Sequence, residues 1–242
     1  MNLDTFKLTG SHFGFSASRI TDLGAAEYTL VTIAADSSPS VEPFRQEIER
    51  CIQAIVGACR HSPRADNLML RVTAFDTTVS EVHGFKPLTE CPIAAYDGCL
   101  PRGGGTALYD GAENGVNALV GYGKHLSDAN LSVNGILFVI TDGEDNASRA
   151  KVLDLKGSLA KARRDETLES LTSVLVGVNV DDPSMANYLD ALQKEAGFTR
   201  YIELGAADAN TLAKLADFVC RSVYATSLSL GTGKAPSVNL VF

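Results

Sequence analysis

Residues 28–40 read YTLVTIAADSSPS, and the change of character at Asp36 decides the fold. Residues 28–35 are a near-continuous run of β-branched and apolar side chains. Such a run fits a central strand of a parallel sheet, covered on both faces. At Asp36 it stops, and an acid and two hydroxyls follow at alternate positions, as Asp-x-Ser-x-Ser. In an extended exit segment alternate side chains point the same way, so Asp36, Ser38 and Ser40 face one point. Singly, each is an ordinary cap or turn residue. What decides between turn and site is whether other loops reach the same place.

Outward from this stretch, strands and helices alternate. Residues 42–60 carry Phe44, Ile48, Ile52, Ile55, Val56 and Cys59 at helical spacing with charges opposite, an amphipathic helix with Pro43 in its first turn. Residues 67–75 and 79–85 predict a short-turn hairpin whose second, more polar strand belongs at a sheet edge. A helix over 107–122, a second buried strand over 133–141 and a helix near 151–170 follow. The spacing then predicts a strand at 173–180, a helix near 183–196, a weak strand at 200–204 and a last helix over 210–225. This alternation predicts an α/β fold: a doubly wound, Rossmann-like, mostly parallel sheet with helices on both faces and one antiparallel edge strand. One domain is expected over 1–242, with its core at about 27–222. Residues 1–25 form an N-terminal extension, and 226–242 a Ser/Gly/Thr-rich tail whose VNLVF has the composition of an edge strand.

The bulk numbers narrow the function. The 242 residues are 45% hydrophobic and 21% charged, ordinary for a globular chain with a full core. A net charge of −8 without a basic run argues against nucleic acid as partner. No stretch approaches the length of a membrane span, and the first residues do not have the layout of a signal peptide. The five cysteines are scattered with no CxxC, which suits reduced thiols in the cytoplasm better than disulfides or a zinc site. Cys51 and Cys59 fall on the apolar side of their helix, where burial accounts for them.

In open α/β sheets ligands bind beyond the carboxyl ends of the strands, where strand order reverses. In the order 3-2-1-4-5-6 the 28–35 and 133–141 strands are neighbours at the reversal. Their exit loops, Asp36–Ser40 and Thr141-Asp142-Gly143-Glu144-Asp145, therefore open on one crevice. A third loop, Arg102-Gly103-Gly104-Gly105-Thr106, enters a helix at the same edge. Two carboxylates and three hydroxyls are hard ligands, suited to Mg²⁺, Mn²⁺ or Ca²⁺ and poor for zinc. With only two acids the metal retains positive charge and attracts another carboxylate. Glu144, Asp145, Asp181 and Asp182 are expected on the same rim as solvated loop acids.

Three ordered pieces carry a family resemblance: D36-S-S-P-S40 after a buried strand, G-G-G-T106-A-L-Y-D-G before a helix, and I-T-D142-G after a second buried strand. Together, over about residues 27–222, they resemble the von Willebrand factor type A (vWA) domain family and its metal-ion-dependent adhesion site. The resemblance implies that Ser38, Ser40 and Thr106 supply hydroxyl ligands and that Asp36 and Asp142 bind directly or through water. It implies a complete adhesion site to which a partner's Asp or Glu adds the last ligand. Without secretion features the chain resembles the intracellular, bacterial-type members, which work with MoxR-type AAA+ ATPases or in stress- and defence-type systems. On this reading the chain is not an enzyme but a protein–protein interaction module.

Two other readings compete. A metal-dependent phosphohydrolase would use Asp36 as nucleophile or ligand, but the dehalogenase-like pattern needs a second Asp where Ser38 stands. No Lys or His near the loops stands out as acid or base, and Gly103–Thr106 lacks the Lys of a phosphate-binding loop. A structural subunit in which the metal only braces the loops is the third.

Overall fold

The computed structural model describes residues 3–7, 14–180, 182–205 and 208–228. Eight strands form one sheet: β1 (Leu3–Lys7), β2 (Gly14–Ser18), β3 (Glu27–Asp36), β4 (Leu68–Phe75), β5 (Val79–Pro87), β6 (Ser132–Thr141), β7 (Ser170–Val178) and β8 (Arg200–Leu204). The spatial order is β1-β2-β5-β4-β3-β6-β7-β8. From β5 to β8 this is the doubly wound order expected, with β3 and β6 adjacent and parallel at the reversal.

Alternation along the strands divides the core into two halves. Val31, Ile33 and Ala35 of β3 pack with α1 (Arg45–Arg60) and α5 (Ala209–Leu228) on one face. Leu30 and Ala34 pack with α2 (Leu108–Ser127), α3 (Val152–Arg164) and α4 (Pro183–Ala196) on the other. Because both faces are covered, β3 and β6 have every residue buried except Glu27 and Ser132 at their starts. That is why they read as apolar runs and not as alternating patterns.

Several expectations change. The antiparallel strand β5 is not at the edge. Residues 3–7 and 14–18, expected outside the alternation, form an antiparallel hairpin that extends the sheet beyond it. Backbone pairing between β2 and β5 is limited to Ala17 with Phe85, and side chains supply the rest. Glu81 accepts hydrogen bonds from the Ser16 amide (3.1 Å) and hydroxyl (2.7 Å). It also accepts one from Arg71 Nε at 2.7 Å, while Arg71 Nη2 donates to Asn114 Oδ1 at 3.0 Å. Gly84 permits the approach, since a Cβ there would stand 2.1 Å from the Ser16 carbonyl oxygen. Pro43 lies in a 3₁₀ turn, Pro39–Phe44, ahead of α1 rather than in its first turn. The helix expected near 151–170 ends at Arg164, which frees Ser170 to begin β7. Residues 226–228 belong to α5, and VNLVF lies outside the described residues.

All five cysteines are free, with Cys51, Cys59 and Cys91 buried. Among the described residues no helix is long and apolar enough to cross a membrane.

His83 gives the fold a pH dependence. Its Nδ1–H donates to the Gly84 carbonyl (2.8 Å), and Nε2 lies 2.8 Å from the Tyr96 hydroxyl. The Tyr96 hydroxyl can donate to Nε2 of the neutral ring or accept from the charged one, so the protonation state is set by the surroundings. Burial, the largest influence, lowers its pKa from 6.5 to about 4. The stability it contributes is present above pH 6.5 and lost as pH falls through 4, on the order of 2–3 kcal/mol. The difference in urea midpoint between wild type and His83→Gln should therefore change with pH, the wild type losing stability relative to the variant as pH falls from 6.5 to 4. Parallel curves would contradict this assignment.

Candidate metal centre

Asp36 and Asp142 leave the sheet side by side. Ala35 is in register with Ile140, and each acid lies at or just beyond its strand's carboxyl end. The chain crosses from β3 to β4 through α1 on one face and from β5 to β6 through α2 on the other. The loops at the reversal therefore lie between the two helix layers, with Ser40 exposed, Asp142 half-buried and Asp36, Ser38 and Thr106 buried.

Four of the five expected ligands are joined by hydrogen bonds. Asp36 Oδ1 accepts the Ser38 amide at 2.8 Å, and the Ser38 and Ser40 hydroxyls lie 2.9 Å apart. Ser40 Oγ then donates to Asp142 Oδ1 at 3.1 Å, across 102 positions of sequence. The remaining oxygen of Asp36, Oδ2, accepts the Thr141 hydroxyl at 2.7 Å.

Thr106 reaches the same edge by a different route. The Gly103 amide donates to the Ser37 carbonyl (3.1 Å), laying the glycine loop on the Asp36–Ser40 segment. The β4–β5 turn holds it from the other side: Asp76 Oδ2 accepts the Gly104 amide (3.3 Å) and Thr77 Oγ1 the Gly105 amide (2.8 Å). A Cβ on Gly103 would stand 2.2 Å from Asp76 Cβ, so this approach needs glycine. Asn146 brackets Thr106, accepting its amide at 2.8 Å and donating its own amide to the Thr106 carbonyl at 2.9 Å. The buried Thr106 makes no side-chain hydrogen bond to the other four residues.

The electrostatics are those of two acids sharing an edge. Burial pushes Asp36 up to about 6; hydrogen bonds from Ser38 and Thr141 oppose this, and the Asp142 carboxylate adds to it. Asp142 is raised as well, chiefly by burial. Among the described residues neither acid has an ion pair with Lys, Arg or His. A dication would relieve both burial and repulsion, and the donor set of carboxylate and hydroxyl oxygens fits a hard one. Among the described residues no cluster of three His, Cys, Asp or Glu side chains is assembled for a metal.

The rim acids behave differently from one another. Glu144 is exposed, as expected. Asp145 is not a free rim acid: its carboxylate accepts the Tyr109 amide at 3.3 Å and the Ser148 hydroxyl. Asp182 caps α4 by accepting the Ser184 amide at 2.9 Å, and Asp181 lies outside the described residues. Three supporting residues were given no role in the sequence reading: Thr141 and Asp110, which lie within its motifs, and Asn146, which does not. Buried Asp110 accepts the amides of Arg149 (3.1 Å) and Ala150 (2.9 Å), fastening the loop after Asp142 to α2. A polar residue ending a buried strand was the available signal for Thr141.

The strand order, the two helix layers and three loops meeting at the carboxyl edge define a vWA-like α/β fold. Solved structures bear this out. The PilB minor pilin from Streptococcus sanguinis superposes with a TM-score of 0.58 at 13% identity, covering 84% of this chain and 62% of that one. Proximal thread matrix protein 1 from the mussel byssus, in a form described with a zinc-occupied MIDAS motif, gives 0.54 at 16% identity, covering 81% and 46%. BatB, a conserved hypothetical protein from Bacteroides thetaiotaomicron, gives 0.51 at 14% identity, covering 78% and 96%. This chain thus spans about three fifths of the pilin and under half of the thread protein. No family model matches the sequence, and no curated protein matches it.

Proposed function

We propose that this chain is a non-catalytic protein-interaction module of the vWA kind. Asp36, Ser38, Ser40, Thr106 and Asp142 hold Mg²⁺, or Mn²⁺ or Ca²⁺ in its place, and a partner's Asp or Glu completes the shell. The observation that carries this reading is the hydrogen-bonded series Asp36–Ser38–Ser40–Asp142, which brings oxygens from two adjacent strand ends together. The neutral hydroxyls leave the cation electron-poor, so an incoming carboxylate gains more than water would. The thread protein's zinc-occupied motif supports divalent binding on this fold. The partner we propose is a protein of a cytoplasmic complex, with a MoxR-type AAA+ ATPase as the candidate class. The free cysteines support that compartment.

The test is capture. The immobilised full chain is exposed to a purified MoxR-type ATPase in Mg²⁺ and in EDTA, beside Asp142→Ala. Retention in Mg²⁺ alone, lost in the variant, is the expected result. Equal retention under all three conditions would rule out a metal-bridged contact.

A further inference from the structure

Beside the metal centre lies an open groove of ≈ 690 Å³, bounded by the 3₁₀ turn Pro39–Phe44, the start of α1 and residues 98–102. Its walls continue those of the centre. Glu42 follows Ser40 by two residues, which places their Cα atoms within about 7.6 Å. Arg102 precedes Gly103, whose amide is bonded to the Ser37 carbonyl.

The lining includes Arg45, Arg50 and Arg102 against Glu42 and Glu47, a positive balance in a chain of net charge −8. The three arginines differ in what they are free to do. Arg45 is committed to the scaffold, donating to the carbonyls of Leu100 (2.8 Å) and Pro101 (2.6 Å) and to Glu42. Arg102 has a side chain 84% exposed and meets Glu42 at 3.3 Å, a contact that solvent screens and a better partner displaces. Arg50 is exposed and, among the described residues, is in no ion pair.

We propose that this groove receives a second acidic side chain of the segment whose first carboxylate completes the metal shell. The partner is then an acidic peptide segment bearing two carboxylates, one for the cation and one for Arg50 and Arg102. This rests on the metal-site reading above. A guanidinium presents paired N–H donors that match a carboxylate, so the groove supplies direction as well as charge. The exposed Glu144 adds selectivity, because an acid placed on its side of the centre is repelled.

The probe is a set of short, capped Gly-Ser peptides carrying one Glu, or a second Glu at increasing spacing. They are titrated into the ¹⁵N-labelled full chain in Mg²⁺ and in EDTA. The one-Glu peptide should bind only in Mg²⁺, and the best two-Glu peptide about tenfold tighter, the gain of one charge-assisted pair. The Arg50→Ala/Arg102→Ala double variant should bind the one-Glu peptide as the wild type does and lose the tenfold gain. If one-Glu binding needs Mg²⁺ but a second Glu adds nothing, or its gain survives in the double variant, the groove proposal falls alone. If one-Glu binding is absent or indifferent to Mg²⁺, the metal-site reading falls and takes this proposal with it.

Discussion

Asp36→Asn is expected to raise the melting temperature of the metal-free protein and to abolish its stabilisation by Mg²⁺. In the folded chain burial lifts this carboxyl from 3.8 to about 6. For a raised carboxyl, the stability contributed by the protonated form is complete below pH 3.8 and lost as pH rises through 6. At pH 7.5 the ionised Asp36 therefore costs up to about 3 kcal/mol. Asparagine keeps an oxygen for the Ser38 amide while removing the charge, so a gain of about 1–3 kcal/mol is expected, several degrees in a chain of this size. The gain should shrink at pH 5, where the wild-type carboxyl is itself protonated. With Mg²⁺ at a hundred times its dissociation constant the wild type gains about 2.7 kcal/mol. On the proposed site the variant, lacking one of its two acids, gains nothing. A Mg²⁺-dependent shift of equal size in both proteins would remove Asp36 from the site.

The second large effect lies away from the metal. Arg71 is 1% exposed, and its guanidinium joins β4 to Glu81 on β5 and to Asn114 on α2. Burial lowers its pKa, and the Glu81 carboxylate opposes that shift. Removing one partner of a buried pair costs about 3–5 kcal/mol. Glu81 is 25% exposed and keeps its hydrogen bonds from Ser16, so Arg71→Ala should fall near the low end, about 3 kcal/mol. That corresponds to a fall in Tm of about 6–12 °C. Arg71→Met should lose less, because it fills the space and because Nη1 finds no hydrogen-bond partner among the described residues. Hydrogen exchange at the Ser16 amide should accelerate in Arg71→Ala, since Glu81 loses the cation that holds it. A loss below about 1 kcal/mol with unchanged exchange at Ser16 would show that the network does not hold the hairpin.

The central sheet was legible because strands buried on both faces are dominated by apolar and β-branched residues until they end. The runs ending at Asp36 and Thr141 therefore announced both their burial and their exits. The candidate ligands were legible for the same reason, through three loops placed at one edge by the strand order. The N-terminal hairpin was not. LDTFK and GFSAS are short and mixed in polarity, and β2 is held by a buried arginine and a glutamate more than fifty positions away. The role of Asp145 was hidden in the same way, since the Tyr109 amide lies 36 positions upstream. Asp182 was different: an acid directly before Pro183 at a helix start is a cap signal that local reading could have used.

The central claim, that oxygens from three loops hold one hard cation, is tested most directly by titrating the full chain with Mn²⁺ and following free Mn²⁺ by electron paramagnetic resonance. The account predicts a single saturable site, displaced by Mg²⁺. Affinity should be unmeasurable in Asp36→Asn and in Asp142→Ala, and at least about tenfold weaker in Thr106→Ala. Absence of saturable binding in the wild type, or retention of wild-type affinity in Asp36→Asn, would contradict it.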